Sequence, residues 1–359
     1  MENFRTKVEN INVLYFKPLI SPREIKQLYP LTEQISGHIE QSRQVVRDIL
    51  EGKDSRFLVI VGPCSIHSKE IALEYATRLN SLKEQIQDVM FVVMRTYFEK
   101  PRTTLGWKGL IYDPDLDNTH NIEKGLILAR EILLRIAEMY LPAGSELLDP
   151  IVPQYIADLI CWASIGARTT ESQTHREMAS GFSMPIGFKN TTDGNLQIAI
   201  DAMVSARGSH HFIGVDEDGK TCVVATKGNT VSHLILRGGR GRPNYDPVSV
   251  IEAVEKMEKA GLPPRIIVDC SHANCGKRHQ LQAHVLRDVV QQRIEGNLSI
   301  KGVMIESNLK PGNQPFPPPD GVLEYGVSIT DPCLGWEETE SLLLETAERL
   351  RKEQPAKSM

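Results

Sequence analysis

The chain lacks any long uninterrupted apolar run. Its most apolar helical stretch, GLILAREILLRIAEMYL, is broken by Arg130, Glu131, Arg135 and Glu138, which excludes a membrane span and reads as an amphipathic helix. It lacks a tight cysteine framework. Cysteines 64, 161, 222, 270, 275 and 333 are scattered over 359 residues, which excludes a disulfide-stapled scaffold and reads as reduced thiols of a cytoplasmic protein. It lacks an excess of positive charge, with 41 Lys and Arg against 46 Asp and Glu. The net charge of -5 gives no reason to expect nucleic acid or an anionic membrane as partner. The opening residues, MENFRTKVENINVLYF, lack the charged-then-apolar pattern of a secretory signal. No internal repeat or low-complexity block is present.

What is present is a rhythm. From Phe57 onward, short apolar runs alternate with helical patterns: FLVIVG, MFVVMR, GSELLD, SIGART, MPIGFK, SHLILR, RIIVDCS and GVMIES. Runs that are continuously apolar mark strands covered on both faces, and helices between them mark βαβ units. The expected fold is an α/β (β/α)8 barrel of the triosephosphate-isomerase type, with a doubly wound open sheet as the alternative. Residues 1–56 read as an N-terminal arm with a helix from about Gly37 to Leu50, too small to stand alone. Residues 57–350 read as the barrel and 351–359 as a tail. Between the fifth and sixth runs, HHFIGV and CVVAT flank DEDGK, which predicts an inserted β-hairpin over about 210–226.

The ends of the runs carry the chemistry. They supply Cys64, Arg95, Glu146 with Asp149, Arg168, Lys189, Arg237, His272 and Glu306, with Asp331 close behind. Each alone has a plain structural reading, as a buried thiol, a solvated charge or a loop histidine. Together they converge, because strand C-termini meet on the active face of such a barrel. Cys64, His272, Glu306 and Asp331 are metal-ligand types that suit a divalent ion such as manganese, iron, cobalt or zinc. Arg95, Lys100, Arg102, Lys108, Arg168, Lys189 and Arg237 form a cationic set that would repel itself if empty. It predicts an anionic ligand with more than one phosphate.

The segments VGPCSIH, MRTYFEKPRTTLGWKGL, IGARTTESQTHREMASG, GFKN, ILRGG, VDCSHAN, MIESN, PGNQ and YGVSITDPCLGWE resemble those of the type I 3-deoxy-D-arabino-heptulosonate 7-phosphate (DAHP) synthases. The resemblance runs from about Asn10 to about Leu350. It implies a metal-dependent condensation of phosphoenolpyruvate with erythrose 4-phosphate on a (β/α)8 barrel, the first step of the shikimate pathway. It implies that Cys64, His272, Glu306 and Asp331 hold the metal. Ala167, Arg168 and Lys189, with Arg95 and Lys108 nearby, match the phosphoenolpyruvate clamp, and Arg237 a further phosphate contact. Lys100, Pro101, Arg102 and Thr103 match the loop that holds the sugar phosphate. Lys100 would help polarise the aldehyde, and Glu146 is the candidate for positioning the attacking water. One departure stands out: the family's usual glycine after GFKN is Thr191 here, which would be strained if that position needs a positive φ.

The arm and the hairpin match the family's site for an aromatic amino-acid effector, often built across a subunit interface. The resemblance places Asn10, Pro150, Gln154, Met178, Phe182, Ser183, Phe212, Gly214 and Val224 in it. Asn10, Pro150 and Gly214 resemble the tyrosine-sensitive members, because a glycine leaves room for a para-hydroxyl. The phenylalanine-sensitive form is the alternative, and the sister reaction with arabinose 5-phosphate a more distant one. A homodimer or homotetramer is expected.

Overall fold

A computed structural model describes residues 8–319 and 321–353. The expected tail over 351–359 lies outside them from residue 354 onward, as do the first seven residues of the arm.

Two helices precede the first strand. α1 (Pro22–Leu28) opens on a capping box, in which the Ser21 and Glu24 side chains each take up the other's free backbone N–H. α2 (Glu33–Glu51) starts earlier than the apolar periodicity suggests, because the Thr32 hydroxyl accepts from the Ile35 N–H and sets the N-terminus there. It ends at Gly52, which adopts the left-handed conformation usual at such ends.

The barrel follows in the expected alternation. It runs β1 (Phe57–Gly62), α3 (Lys69–Ile86), β2 (Met90–Arg95), α4 (Ile122–Glu138), β3 (Ala143–Glu146), α5 (Pro153–Ile156), β4 (Trp162–Ile165), α6 (Gln173–Ser180), β5 (Ile186–Lys189) and α7 (Gln197–Arg207). After the hairpin β6 (His211–Val215) and β7 (Thr221–Ala225) come β8 (Ser232–Leu236), α8 (Pro247–Lys259), β9 (Ile266–Asp269), α9 (Gln282–Ile294), β10 (Ile300–Glu306) and α10 (Trp336–Glu353). The parallel strands close in the order β1-β10-β9-β8-β5-β4-β3-β2, a (β/α)8 barrel and not an open sheet. The hairpin is a separate two-stranded sheet between the fifth and sixth barrel strands.

Leu58, Ile60, Val93, Trp162, Ile235, Ile267 and Met304 fill the barrel interior, and Val46, Ile49 and Leu50 of α2 join the same cluster. The end of α2 therefore closes the floor of the barrel, opposite the strand C-termini. Among the described residues, no helix is long and apolar enough to cross a membrane.

Candidate active site

The C-terminal mouth of the barrel opens into a cavity of about 710 Å³. Arg95, Lys100, Pro101, Arg102, Thr103, Glu146, Ala167, Arg168, Lys189, Arg237, His272 and Asp331 all line it. Lys108 does not; it is exposed, and its carbonyl accepts from the Lys100 N–H at 2.8 Å. Cys64 and Glu306 lie buried just beneath the cavity wall.

Two glycines make room for this arrangement. Gly62 ends β1 at φ 154°, and a Cβ there would lie 2.8 Å from the Arg95 carbonyl oxygen. A Cβ on Gly166 would lie 2.4 Å from Glu146 Oε1. A side chain at Gly62 would push against the Arg95 backbone, and one at Gly166 would displace the Glu146 carboxylate.

Buried charge at the mouth is matched group by group. Arg95, 1 % exposed, donates to Glu306 Oε1 at 3.0 Å, to the Cys64 carbonyl at 3.2 Å and to the Pro63 carbonyl at 3.1 Å. Its guanidinium stacks 3.5 Å from the centre of the Tyr97 ring. Lys189 Nζ lies 3.1 Å from Asp269 Oδ2 and 3.9 Å from Glu146 Oε2. Burial works against ionisation of Asp269, but Lys189 and His272 more than offset it and hold the carboxyl well below the usual range.

The expected metal ligands come together in part. One donor atom each from Cys64, Glu306 and Asp331 lie within 4.8 Å of one another. Lys100 Nζ sits 2.8 Å from Cys64 Sγ and 3.1 Å from Asp331 Oδ2. Burial pushes the Cys64 thiol up to about 12, Glu306 adds to this, and Lys100 opposes it. Lys100 and then His272 hold Asp331 well below the carboxylate range. A sulfur and two carboxylates with a cation already drawn between them fit a divalent metal ion.

His272 is not drawn into that group. The chain turns through φ 58° at this residue, and Nδ1 faces Asp269 Oδ2 at 3.0 Å and Ser271 Oγ at 2.6 Å. It stays on the cavity wall with Asp331, and with Glu306 it lines a smaller cleft beside it. Asp269 itself was missed in the sequence, although the same signal marks it: a carboxylate ending an apolar run. Thr191 carries no strain. It is not among the positive-φ residues; its hydroxyl accepts from Asn195 N at 3.1 Å and donates to the Asp193 carboxylate.

The expected effector residues divide. Phe212 pairs with Val224 and Gly214 with Cys222 across the hairpin, and these residues are half-buried while Ile213 and Val223 are exposed. The hairpin joins α6, which carries Met178, through a 2.6 Å hydrogen bond between Ser180 Oγ and Thr226 Oγ1. Its turn is tied to the start of α1 by Arg23 N, which donates to the Glu217 carbonyl at 2.8 Å. Pro150 and Gln154 sit at the start of α5 and Phe182 packs on the core. Ser183 instead lines a separate cleft of about 420 Å³ with Ile39, Arg43 and Arg47 of α2. Asn10 is exposed, and among the described residues no hydrogen bond joins it to the hairpin.

Comparison with known proteins accounts for this combination of fold and site. The chain is 50% identical over 338 residues to the Tyr-sensitive phospho-2-dehydro-3-deoxyheptonate aldolase of Escherichia coli (strain K12), covering 94% of this chain and 95% of that one. It is 48% identical over 343 residues to the Phe-sensitive enzyme of the same organism, covering 96% and 97%. The solved phospho-2-dehydro-3-deoxyheptonate aldolase of Francisella tularensis SCHU S4 superposes with a TM-score of 0.93 at 46% identity, over 96% of this chain and all of that one. A family model matches residues 30–344. On that extent of match, across both the barrel and the site, the chain belongs to the DAHP synthetase I family.

Proposed function

We propose that this protein is a DAHP synthase, condensing phosphoenolpyruvate with erythrose 4-phosphate and water to DAHP and inorganic phosphate. The observation that carries this reading is the pairing of a cation-walled cavity with the Cys64–Glu306–Asp331 donor group at its edge.

Arg95, Arg168, Lys189 and Arg237 hold the phosphate and carboxylate of phosphoenolpyruvate. Arg102 and Thr103 hold the sugar phosphate, and Arg168 Nε donates to Thr103 Oγ1 at 3.0 Å, so the two subsites share a wall. Placing both substrates in register turns a bimolecular encounter into a local reaction. The phosphoenolpyruvate methylene carbon forms a bond to the aldehyde carbon. Water adds to the electron-poor enol carbon, and the bond from that carbon to the phosphate oxygen breaks. Lys100 lies where it can donate to the developing alkoxide. Glu146, at the cavity wall, orients the water and takes its proton.

Cys64, Glu306 and Asp331, completed by rotation of His272, would hold a divalent ion such as manganese, iron, cobalt or zinc. Such an ion supplies Lewis-acid polarisation of the aldehyde. Six free cysteines suit a reducing, cytoplasmic setting.

The effector is tyrosine. A Cβ on Gly214 would lie 2.7 Å from Val224 Cγ2, so a serine there would push into the pocket wall that glycine leaves open. Asn10 comes to that pocket from a second copy of the chain. This is supported by exposed apolar residues on both the arm and the hairpin, among them Leu14 at 95% and Ile213 at 82%. Turnover measured with erythrose 4-phosphate and with arabinose 5-phosphate tests the activity. Product from the first alone supports it; product from the second alone overturns it.

A further inference from the structure

The loop that presents Lys100, Arg102 and Thr103 leaves the barrel at the end of β2. Its internal bonds close it on itself: Lys100 N donates to the Lys108 carbonyl at 2.8 Å, and Arg102 Nε to the Trp107 carbonyl at 2.7 Å. Those bonds shape the loop but do not fix its height above the barrel. Lys100 and Thr103 touch the mouth from within the loop, and the loop is held from below at its two feet, Glu99 and Tyr112.

Glu99 is 2 % exposed. Its Oε2 accepts from Leu148 N at 3.2 Å and its Oε1 from Asp149 N at 3.0 Å. Tyr112 donates its hydroxyl to Asp149 Oδ2 at 3.1 Å and reaches Glu99 Oε1 at 3.4 Å. Asp149 is held in turn, because its Oδ1 accepts from Ile151 N at 2.7 Å. Both feet of the loop therefore meet at Asp149, just after β3.

This joint is costly to build. Burial pushes the Glu99 carboxyl up to about 8, partly opposed by the two N–H donors, and Asp149 and Glu146 push the same way as burial. Apolar packing would join two loops without that penalty. A joint of hydrogen bonds instead sets direction and distance, which apolar contact does not.

We infer that Glu99 and Tyr112 are positioning residues that fix the sugar-phosphate loop against residues 148–149, and so set where Lys100, Arg102 and Thr103 meet the substrate. This rests on the reading that the loop binds the sugar phosphate. In Glu99→Gln the amide can accept only at one end, so one of the two backbone N–H groups loses its partner. Tyr112→Phe removes only the hydroxyl link.

The test is steady-state kinetics and thermal unfolding of the metal-loaded wild type, Glu99→Gln, Tyr112→Phe and Arg102→Ala. A displaced loop should raise KM for erythrose 4-phosphate about tenfold in Glu99→Gln while KM for phosphoenolpyruvate stays within about twofold. Tyr112→Phe should show the same selectivity with a smaller rise, and it keeps the test alive if Glu99→Gln does not fold. Equal rises in both KM values, or a lower Tm with neither KM changed, would assign a purely structural role and overturn the inference. Arg102→Ala separates the two readings. If it raises the sugar-phosphate KM and Glu99→Gln does not, only the positioning role fails. If it leaves that KM unchanged, the loop assignment fails and the inference with it.

Discussion

The barrel mouth and the arm-hairpin region solve opposite problems. At the mouth, the most deeply buried charges are paired within the same chain, as Arg95 is with Glu306 and Lys189 with Asp269. In the arm and hairpin, apolar side chains are exposed, and among the described residues no hydrogen bond joins Asn10 to the hairpin. The mouth has its buried charges paired in one copy; the arm and hairpin leave apolar surface uncovered. On the proposed reading, the difference teaches that catalysis would draw on preorganised electrostatics, whereas regulation would draw on a second copy that covers the arm and hairpin.

The sharpest break in that comparison is Cys64→Ala. It should lower turnover by about a thousandfold, because the substrate aldehyde loses its electrophilic activation. Metal analysis of the purified variant should show the bound ion depleted. Full turnover in the presence of chelator would overturn it. Glu306→Ala leaves the Arg95 guanidinium buried without its carboxylate, and should cost about 3–5 kcal/mol of stability in denaturant unfolding of the metal-free protein. Arg168→Ala should cost about 2–4 kcal/mol of transition-state binding, seen chiefly in KM for phosphoenolpyruvate.

Two buried histidines allow a smaller test. Burial pushes His233 down to about 3 and His67 down to about 4, so both are neutral in the folded protein at pH 6. Each contributes stability that is fully present above the unfolded value near 6.5. That contribution is lost as pH falls toward the folded values, because the unfolded chain takes up the protons. The loss is about 1.4 kcal/mol per pH unit for each histidine. His233→Gln should flatten the decline in denaturation midpoint between about pH 6 and 4. The smallest effect belongs to the other region: Gly214→Ser should weaken tyrosine inhibition about fivefold, or about 1 kcal/mol, and leave turnover without effector unchanged. Stronger inhibition of the wild type by phenylalanine than by tyrosine would reverse the effector assignment.

The same contrast explains how far the residues could be read in advance. Continuous apolar runs located all eight barrel strands, because strands covered on both faces leave no other pattern. Charged residues at the ends of those runs located most of the mouth, since closure of the barrel brings them together whatever the loops do. What the pattern missed depends on direction instead of sequence position. His272 carries the right chemistry, but a left-handed backbone turn aims it at Asp269. Lys108 lies in the right loop but points out to solvent. The Glu99–Tyr112–Asp149 joint links residues up to 50 positions apart, and no local period marks such a pairing.

The floor of the barrel has a consequence for how the chain reaches this state. α2 leaves the ribosome before any barrel strand, yet Val46, Ile49 and Leu50 pack into an interior that does not exist until the barrel shuts. Shutting requires β1 to pair with β10, Leu58 against Gly302, a contact between the first and last strands of the barrel. Such distant pairing is slow, because the loop-closure entropy is lost before the contact returns anything. A nascent chain ending before residue 300 therefore carries the apolar face of α2 with no barrel interior to bury it, an exposed surface of the kind chaperones bind.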